Sequence, residues 1–313
     1  MTNTAPSRRT VLAGGVACAA AAAPLAVRAR VPRREADAPM IGVLRPYTCR
    51  EDDTLLDVAR RFGLGYTEMI AANRDVDPWL PGAGTEIQLP TAHLLPDTRR
   101  EGLALNLADQ RLYRFRGGRV SASYAIGIGR QGWETPTGHT QITEKTVDPI
   151  WHPPESIRAE QPDLPERVPP GENNPLGHYA IDLRWPTYLI HGTNMPWGIG
   201  RRISHGCIRL YPESIARLFN DVSVGEPVHV VDQPAKLGWV RGRLLLEVHP
   251  NQAQASALLD GGAFESAVVP GLPRRIVEAV QGRGAEIDWR RVERLMAERR
   301  GVPEPVAGGK PLG

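Results

Sequence analysis

Hydrophobic positions change their spacing from segment to segment along the chain, and each spacing predicts an element. Between Val11 and Val27 lies an apolar, alanine-rich run preceded by Arg8 and Arg9. From 41 to 92 the order is strand, helix, helix, strand. PYTCR alternates, and Asp52 and Asp53 offer N-caps to a helix carrying Leu55, Leu56, Val58, Ala59 and Phe62, which Gly63 ends. A second helix starts near Thr67 with Met69, Ile70 and Ala72, and PWLPGAG turns into the strand EIQLP. From 98 to 232 a period of two dominates. ALNLADQRLYRF and SASYAIGIG on either side of GGRV predict a hairpin, and HYAIDLRWPTYLIHGT and EPVHVVD predict further strands. One helix intervenes, with Pro212 at its first position and Ile215, Leu218 and Phe219 on one face. Residues 146–176, rich in proline and acids, read as a long surface loop of the kind that walls or covers a site. Beyond 233 the pattern weakens. LLLEVHP predicts a strand, SALLDGGAFESAVV fits neither period, DWRRVERLMAERR predicts an amphipathic helix over 288–300 with Val292, Leu295 and Met296 inward, and the tail GVPEPVAGGKPLG is expected to be disordered.

The chain is thus expected to hold a mostly β domain preceded by a small α+β unit of order βααβ. Its 313 residues suffice for both, and 41% hydrophobic with 23% charged residues is ordinary for a folded soluble protein. The paired arginines before the apolar run predict a twin-arginine signal peptide over residues 1–29, followed by a linker over 30–40. The run is too short, and too broken by Pro24 and Arg28, to read as a membrane span. Cleavage removes three arginines and no acid, lowering the formal charge from +3 to zero, so the mature chain lacks the basic excess of a nucleic-acid binder. Cys49 and Cys207 remain. They fall in different predicted domains, which argues against a disulfide, and Cys49 is expected to be buried as a small hydrophobe.

The stretch HGTNMPWGIGRRISHGCIRL sets two histidines and a cysteine among glycines. A thiol with a pKa of about 8.5 needs a base or a cation beside it to attack an acyl group. His191 ends the strand TYLI and can face Cys207 from a separate rigid element, so it is the candidate base. Gly206 lets the chain turn close to substrate, with its N–H and that of Cys207 as candidate oxyanion donors. Arg209 suits a substrate carboxylate or a structural ion pair. His191, His205 and Cys207 are also competent zinc ligands, although no fourth ligand stands nearby and His-x-Cys is tighter than usual zinc spacings.

TYLIHGT followed by RRISHGCIRLYPESI resembles the L,D-transpeptidase catalytic (YkuD) domain, and the resemblance covers residues 98–232. It implies a YkuD-type β-sandwich with Cys207 as nucleophile, His191 as base, the Gly192 carbonyl orienting that base, and His205 and Gly206 as further site residues. Ser204 matches the family's Ser/Thr position and is assigned with Arg209 to substrate binding, although many relatives carry Asn where Arg209 stands. YTCREDDTLLDVARRFG and MIAANRDVDPWLPGAGTEIQLP, within 41–92, resemble a LysM domain, which implies binding of peptidoglycan glycan. The residues from 233 to 313 are read as an extension. Together these resemblances imply an exported, periplasmic enzyme that forms a thioester with a peptidoglycan stem peptide, releases D-alanine and passes the acyl group to an amine. The acceptor is diaminopimelate or the lysine of an outer-membrane lipoprotein, and no metal or organic cofactor is implied. Rival readings are a hydrolase that hands the same thioester to water, and a wall-binding protein with an idle site.

Overall fold

Strand, helix, helix and strand follow one another as expected at the start of the computed structural model, which describes residue 1, residues 39–262, residue 265 and residues 267–308. The expected leader, its cleavage site and the linker up to residue 38 lie outside the described residues. β1 (Arg45–Thr48) pairs antiparallel with β2 (Glu86–Leu89), and α1 (Leu55–Arg61) and α2 (Tyr66–Ala72) lie between them. The cap of α1 is Thr54, whose hydroxyl accepts the Asp57 N–H at 3.1 Å. Asp53, expected in that role, is buried and accepts from Tyr47 Oη at 2.6 Å, from the Arg50 N–H at 2.8 Å and from Arg61 at 2.9 Å. The strand's phenol and the helix's guanidinium draw its carboxylate inward, leaving the cap to its neighbour. Cys49 is buried in this unit's core, and both it and Cys207 are free thiols. All seven residues of α2 are buried, because the rest of the chain covers the face that its own unit leaves open.

The central sheet contains β3 (Gly102–Asn106), β4 (Arg111–Arg116), β5 (Arg119–Ala125), β7 (Gly138–Val147), β8 (Tyr179–Leu183), β9 (Leu189–His191), β11 (Ile208–Arg209) and β12 (Pro227–Val231). Their order is β11-β9-β8-β7-β12-β3-β4-β5, and a separate parallel pair joins β6 (Ile128–Gly129) to β10 (Arg202–Ser204). Gly127, just past β5, bridges to Arg209 of β11, so the two edges of the sheet meet. The two layers expected of a sandwich are therefore parts of one curled sheet. Its interior holds Leu103, Leu112, Ile142, Ile181, Ile190 and Ile208, closed by Ile215 and Leu218 of α4 (Pro212–Asp221). Each such side chain contributes about 1.5–3 kcal/mol by leaving water. ALNLADQRLYRF, expected as one strand, is two, with Gln110 at φ 49° in the turn between them. The loop expected over 146–176 carries a helix, α3 (Glu155–Glu160), that follows Pro154.

The extension is a third module. β13 (Ala235–Val240), β14 (Arg243–Val248), β15 (Glu286–Ile287) and β16 (Glu304–Gly308) form a sheet of order β13-β14-β16-β15. α5 (Gln252–Leu259) sends Leu258 and Leu259 to the core of the N-terminal unit, while α6 (Leu272–Val280) and α7 (Trp289–Glu298) cover the module's own core. The tail is not disordered through residue 308. It is β16, with Val306 and Ala307 buried, because it pairs with β14 far earlier in the chain. Among the described residues no helix is long and apolar enough to cross a membrane.

Candidate active site

His191 ends β9, paired with Arg209 of the parallel strand β11, and Ile190 lies opposite Ile208. Alternation along β11 puts residue 207 on the same side of the sheet as residue 209, and so on the side of His191. The register thus sets the two residues that the sequence singles out on one side of the sheet, with Arg209 directly beside His191 and Cys207 two positions before it. His191 is buried, and its Nδ1 lies 2.7 Å from the Gly192 carbonyl. That oxygen can only accept, so Nδ1 carries the proton and Nε2 keeps a free lone pair. Burial, helped by the positive charge of Arg209, pulls the His191 pKa down to about 3, against the smaller opposing pull of the Gly192 hydrogen bond. Burial also pushes the Cys207 thiol up, although a Leu189 backbone hydrogen bond and Arg209 favour the thiolate. The resting pair is therefore a neutral imidazole and a neutral thiol.

The turn before Cys207 is held from inside. Ser204 is buried, and its Oγ donates to the Cys207 carbonyl at 2.6 Å and accepts the Gly206 N–H at 3.2 Å. The structure thus commits both Ser204 and the Gly206 N–H, expected to serve substrate and oxyanion, to the turn itself. Gly206 has φ +102°, and a Cβ there would lie 2.9 Å from Tyr188 Cε1, so no side chain fits without displacement. Arg209 Nε is buried without a hydrogen-bond partner, and burial lowers the guanidinium's pKa.

Several neighbours of the turn escape sequence reasoning. The Cys207 thiol donates to the Thr187 carbonyl at 3.4 Å, and Thr187 itself sits at φ 70°, a conformation that a β-branched residue seldom adopts. Thr135 Oγ1 donates to the Gly206 carbonyl at 2.8 Å, and the Trp133 ring meets His205 edge-on at 5.0 Å. His205 Nε2 lies 3.0 Å from Glu160 Oε2 and 3.1 Å from Arg130 Nη2. The TPTG stretch before β7 and the strained turn before β9 are the only local signals these contacts left in the sequence. A cleft of about 530 Å³ borders Gly192 and Thr193 and continues along Asp148, Asn174, Tyr179 and Asn194. Asp109, Glu247 and His249 converge as three metal-type donors, yet the Lys236 ammonium sits 2.6 Å from Asp109 and 2.8 Å from Glu247, already supplying positive charge there.

The spacer between His191 and Cys207 is pinned by the N-terminal unit. The Tyr66 and Thr67 amides at the start of α2 donate to the Ile199 and Gly200 carbonyls at 3.3 and 3.0 Å. The Arg201 guanidinium lies over the Tyr66 ring at 4.0 Å, and Tyr211 Oη donates to the Leu64 carbonyl at 3.0 Å. Gly200 allows this approach, since a Cβ on it would fall 2.2 Å from the Tyr66 nitrogen.

Residues 101–230 match the family described as the L,D-transpeptidase catalytic domain (YkuD). The chain is 38% identical over 244 residues to the probable L,D-transpeptidase YcfS of Escherichia coli, across 74% of this chain and 76% of that protein. It is 38% identical over 260 residues to the probable L,D-transpeptidase ErfK/SrfK of Salmonella typhimurium, across 81% and 82% of the two. Among solved structures, the NMR structure of the catalytic domain from E. faecium L,D-transpeptidase aligns with a TM-score of 0.35 and 24% identity, over 43% of this chain and 99% of that one.

Proposed function

The chain belongs to the L,D-transpeptidase family and is an L,D-transpeptidase enzyme, and from that premise we propose that its acyl transfer runs through a thioester on Cys207. The observation that supports this most directly is the fixed tautomer of His191, whose Nε2 is left as a proton acceptor on the side of the sheet that carries Cys207. The family acts on peptidoglycan peptide stems, and the donor in this reading is the stem's third residue, acylated through its carbonyl. Cys207 Sγ bonds to that carbonyl carbon while the thiol proton passes to His191. The bond to the terminal D-alanine nitrogen then breaks, and the same proton leaves with the amine. In the second half an acceptor amine attacks the thioester, His191 takes its proton, and the thiol is restored.

A base whose pKa is about 3 does not hold a thiol proton in the resting state, so proton transfer accompanies attack instead of preceding it. The thiol must also leave the Thr187 carbonyl. Arg209, close enough to shift both partners, stabilises the thiolate as it forms. His205 supports the turn, and Ser204 and Gly206 shape it. The N-terminal βααβ unit serves as a LysM module that binds glycan and, being docked on the spacer, holds the strand in fixed relation to Cys207. The acceptor is diaminopimelate of a second stem or a lipoprotein lysine, and the enzyme works in the periplasm after export through its twin-arginine leader.

Cys207→Ala tests the reading. It removes one sulfur atom, so melting should stay within about 1 kcal/mol of the parent, whereas acyl transfer from a tetrapeptide stem and the mass adduct formed by a carbapenem should both disappear. Transfer retained in the variant, or a carbapenem adduct on Cys49 alone, ends the proposal.

A further inference from the structure

At the rim of the Cys207 turn one carboxylate is held by two donors. Arg130 Nη2 lies 2.6 Å from both Oε1 and Oε2 of Glu160, and His205 Nε2 lies 3.0 Å from Oε2. A carboxylate only accepts, so Nε2 of His205 carries its proton and donates. The two donors belong to the frame around the nucleophile. The Arg130 N–H bonds the Ser204 carbonyl at 3.0 Å, the His205 ring packs on Trp133, and Thr135 from the same loop holds the Gly206 carbonyl.

Glu160 does not belong to that frame. It arrives on α3, a helix of six residues none of which is buried. Its side chain is 38% exposed. The hydrogen bonds from His205 and then Arg130 hold it below the usual carboxylate range, as they would any anion in that position. A preformed pair of charge-assisted donors beside the reacting cysteine, filled by a carboxylate on an exposed helix, has the character of a ligand site occupied by a stand-in.

We propose that Arg130 and His205 form a carboxylate subsite of the donor stem, and that Glu160 fills it in the resting enzyme. This rests on the reading of Cys207 as the nucleophile for stem peptides, whose chains offer free carboxylates at the terminal D-alanine and on the diaminopimelate side chain. Substrate binding displaces Glu160 and swings residues 155–160 off the turn. Because only the fraction of enzyme with Glu160 withdrawn is competent, self-occupancy weakens apparent affinity by that fraction.

The experiment uses the full chain and follows Cys207 acylation by three synthetic tetrapeptide stems. One is unmodified, one is amidated at the terminal carboxylate, and one is amidated on diaminopimelate. Glu160→Ala should lower KM for the unmodified stem by about tenfold, the worth of one charge-assisted hydrogen bond, with kcat nearly unchanged. Arg130→Gln should raise KM by a similar factor. One amidated stem should lose its affinity for the Glu160→Ala enzyme yet be bound by Arg130→Gln no worse than the unmodified stem, and which one does so identifies the carboxylate. Unchanged or raised KM in Glu160→Ala, or equal treatment of all three stems by it, overturns the subsite while leaving the thioester reading intact. Failure of every stem to acylate the parent enzyme would instead remove the stem reading, and the subsite with it.

Discussion

Glu247, His249 and Lys236 meet where the three modules join, and Glu160, His205 and Arg130 meet beside Cys207. Each cluster sets a carboxylate between a histidine and a cation: 2.6 and 2.8 Å in the first, 3.0 and 2.6 Å in the second. They differ in access to water. The side chains of the first are 0, 4 and 1% exposed, those of the second 38, 19 and 40%. In the sealed cluster the carboxylate has further partners, since Glu247 also accepts the Leu94 N–H, and Lys236 also holds Asp109, which accepts from Tyr113 Oη at 2.8 Å. Burial alone pulls the Lys236 pKa down, but the charges of Asp109 and Glu247 overcome it and hold the ammonium above the usual lysine range. A histidine, a carboxylate and a cation thus make a permanent joint where water is excluded and, in the reading proposed above, an exchangeable contact where it is not.

The largest effect that separates them is on stability. Lys236→Met leaves Asp109 and Glu247 buried without their cation and should destabilise the protein by about 3–5 kcal/mol, read as loss of melting temperature or urea midpoint. A loss below about 1 kcal/mol would mean that water or a counter-ion reaches the joint.

Acid sharpens the contrast next. An unfolded histidine takes up its proton near 6.5, whereas folded His191 does so only near 3. Between these values the unfolded chain binds the extra proton, so the contribution of neutral His191 is complete above 6.5, falls as pH drops, and is gone below about 3. The loss is up to about 1.4 kcal/mol per pH unit. His93, beside the sealed joint, acts with the same sign, its pKa pushed well down by burial and then by Arg111, Lys236 and His249. His191→Gln should flatten the acid limb of a melting-temperature profile, and an unchanged slope would place that sensitivity elsewhere.

Sequence and structure agree where one element carries its own signal. His191 closes an apolar strand, Cys207 follows a Ser-His-Gly turn, and Pro212 opens α4, so the base, the nucleophile and the helix behind them are legible locally. What stays hidden is made by distant partners. Arg130 and Glu160 stand 75 and 45 positions from His205, and nothing in a proline-rich insertion marks one glutamate among several. EPVAG lacks alternation and becomes a strand only because β14 offers it an edge. Glu247 reads as a polar interruption of LLLEVHP until the turn that carries Asp109 folds against it. Asp53 reads as a cap, but its carboxylate has stronger donors in Tyr47 and Arg61.

Gly206→Ala probes the turn that the rim cluster flanks. The backbone at φ +102° and the Tyr188 ring 2.9 Å from the new Cβ together cost about 1–3 kcal/mol of stability. Because that strain falls on the residue before Cys207, acylation by a carbapenem should fall by more than the melting shift alone accounts for. A variant that melts lower yet acylates at the parent's rate would show the turn geometry to be dispensable.

The smallest stability effect belongs to the rim itself. Glu160→Gln and Arg130→Gln each break an ion pair whose partners are more than a third exposed, so water replaces what is lost and melting should barely move. Set beside Lys236→Met, this gives a test that no single variant offers, because each breaks a carboxylate–cation pair and the two sites differ most in access to water. If the rim variants destabilise as strongly as the sealed one, α3 is a structural strut and Glu160 cannot be a displaceable occupant. If they leave melting untouched while shifting KM, the exposed cluster is tuned for exchange with substrate.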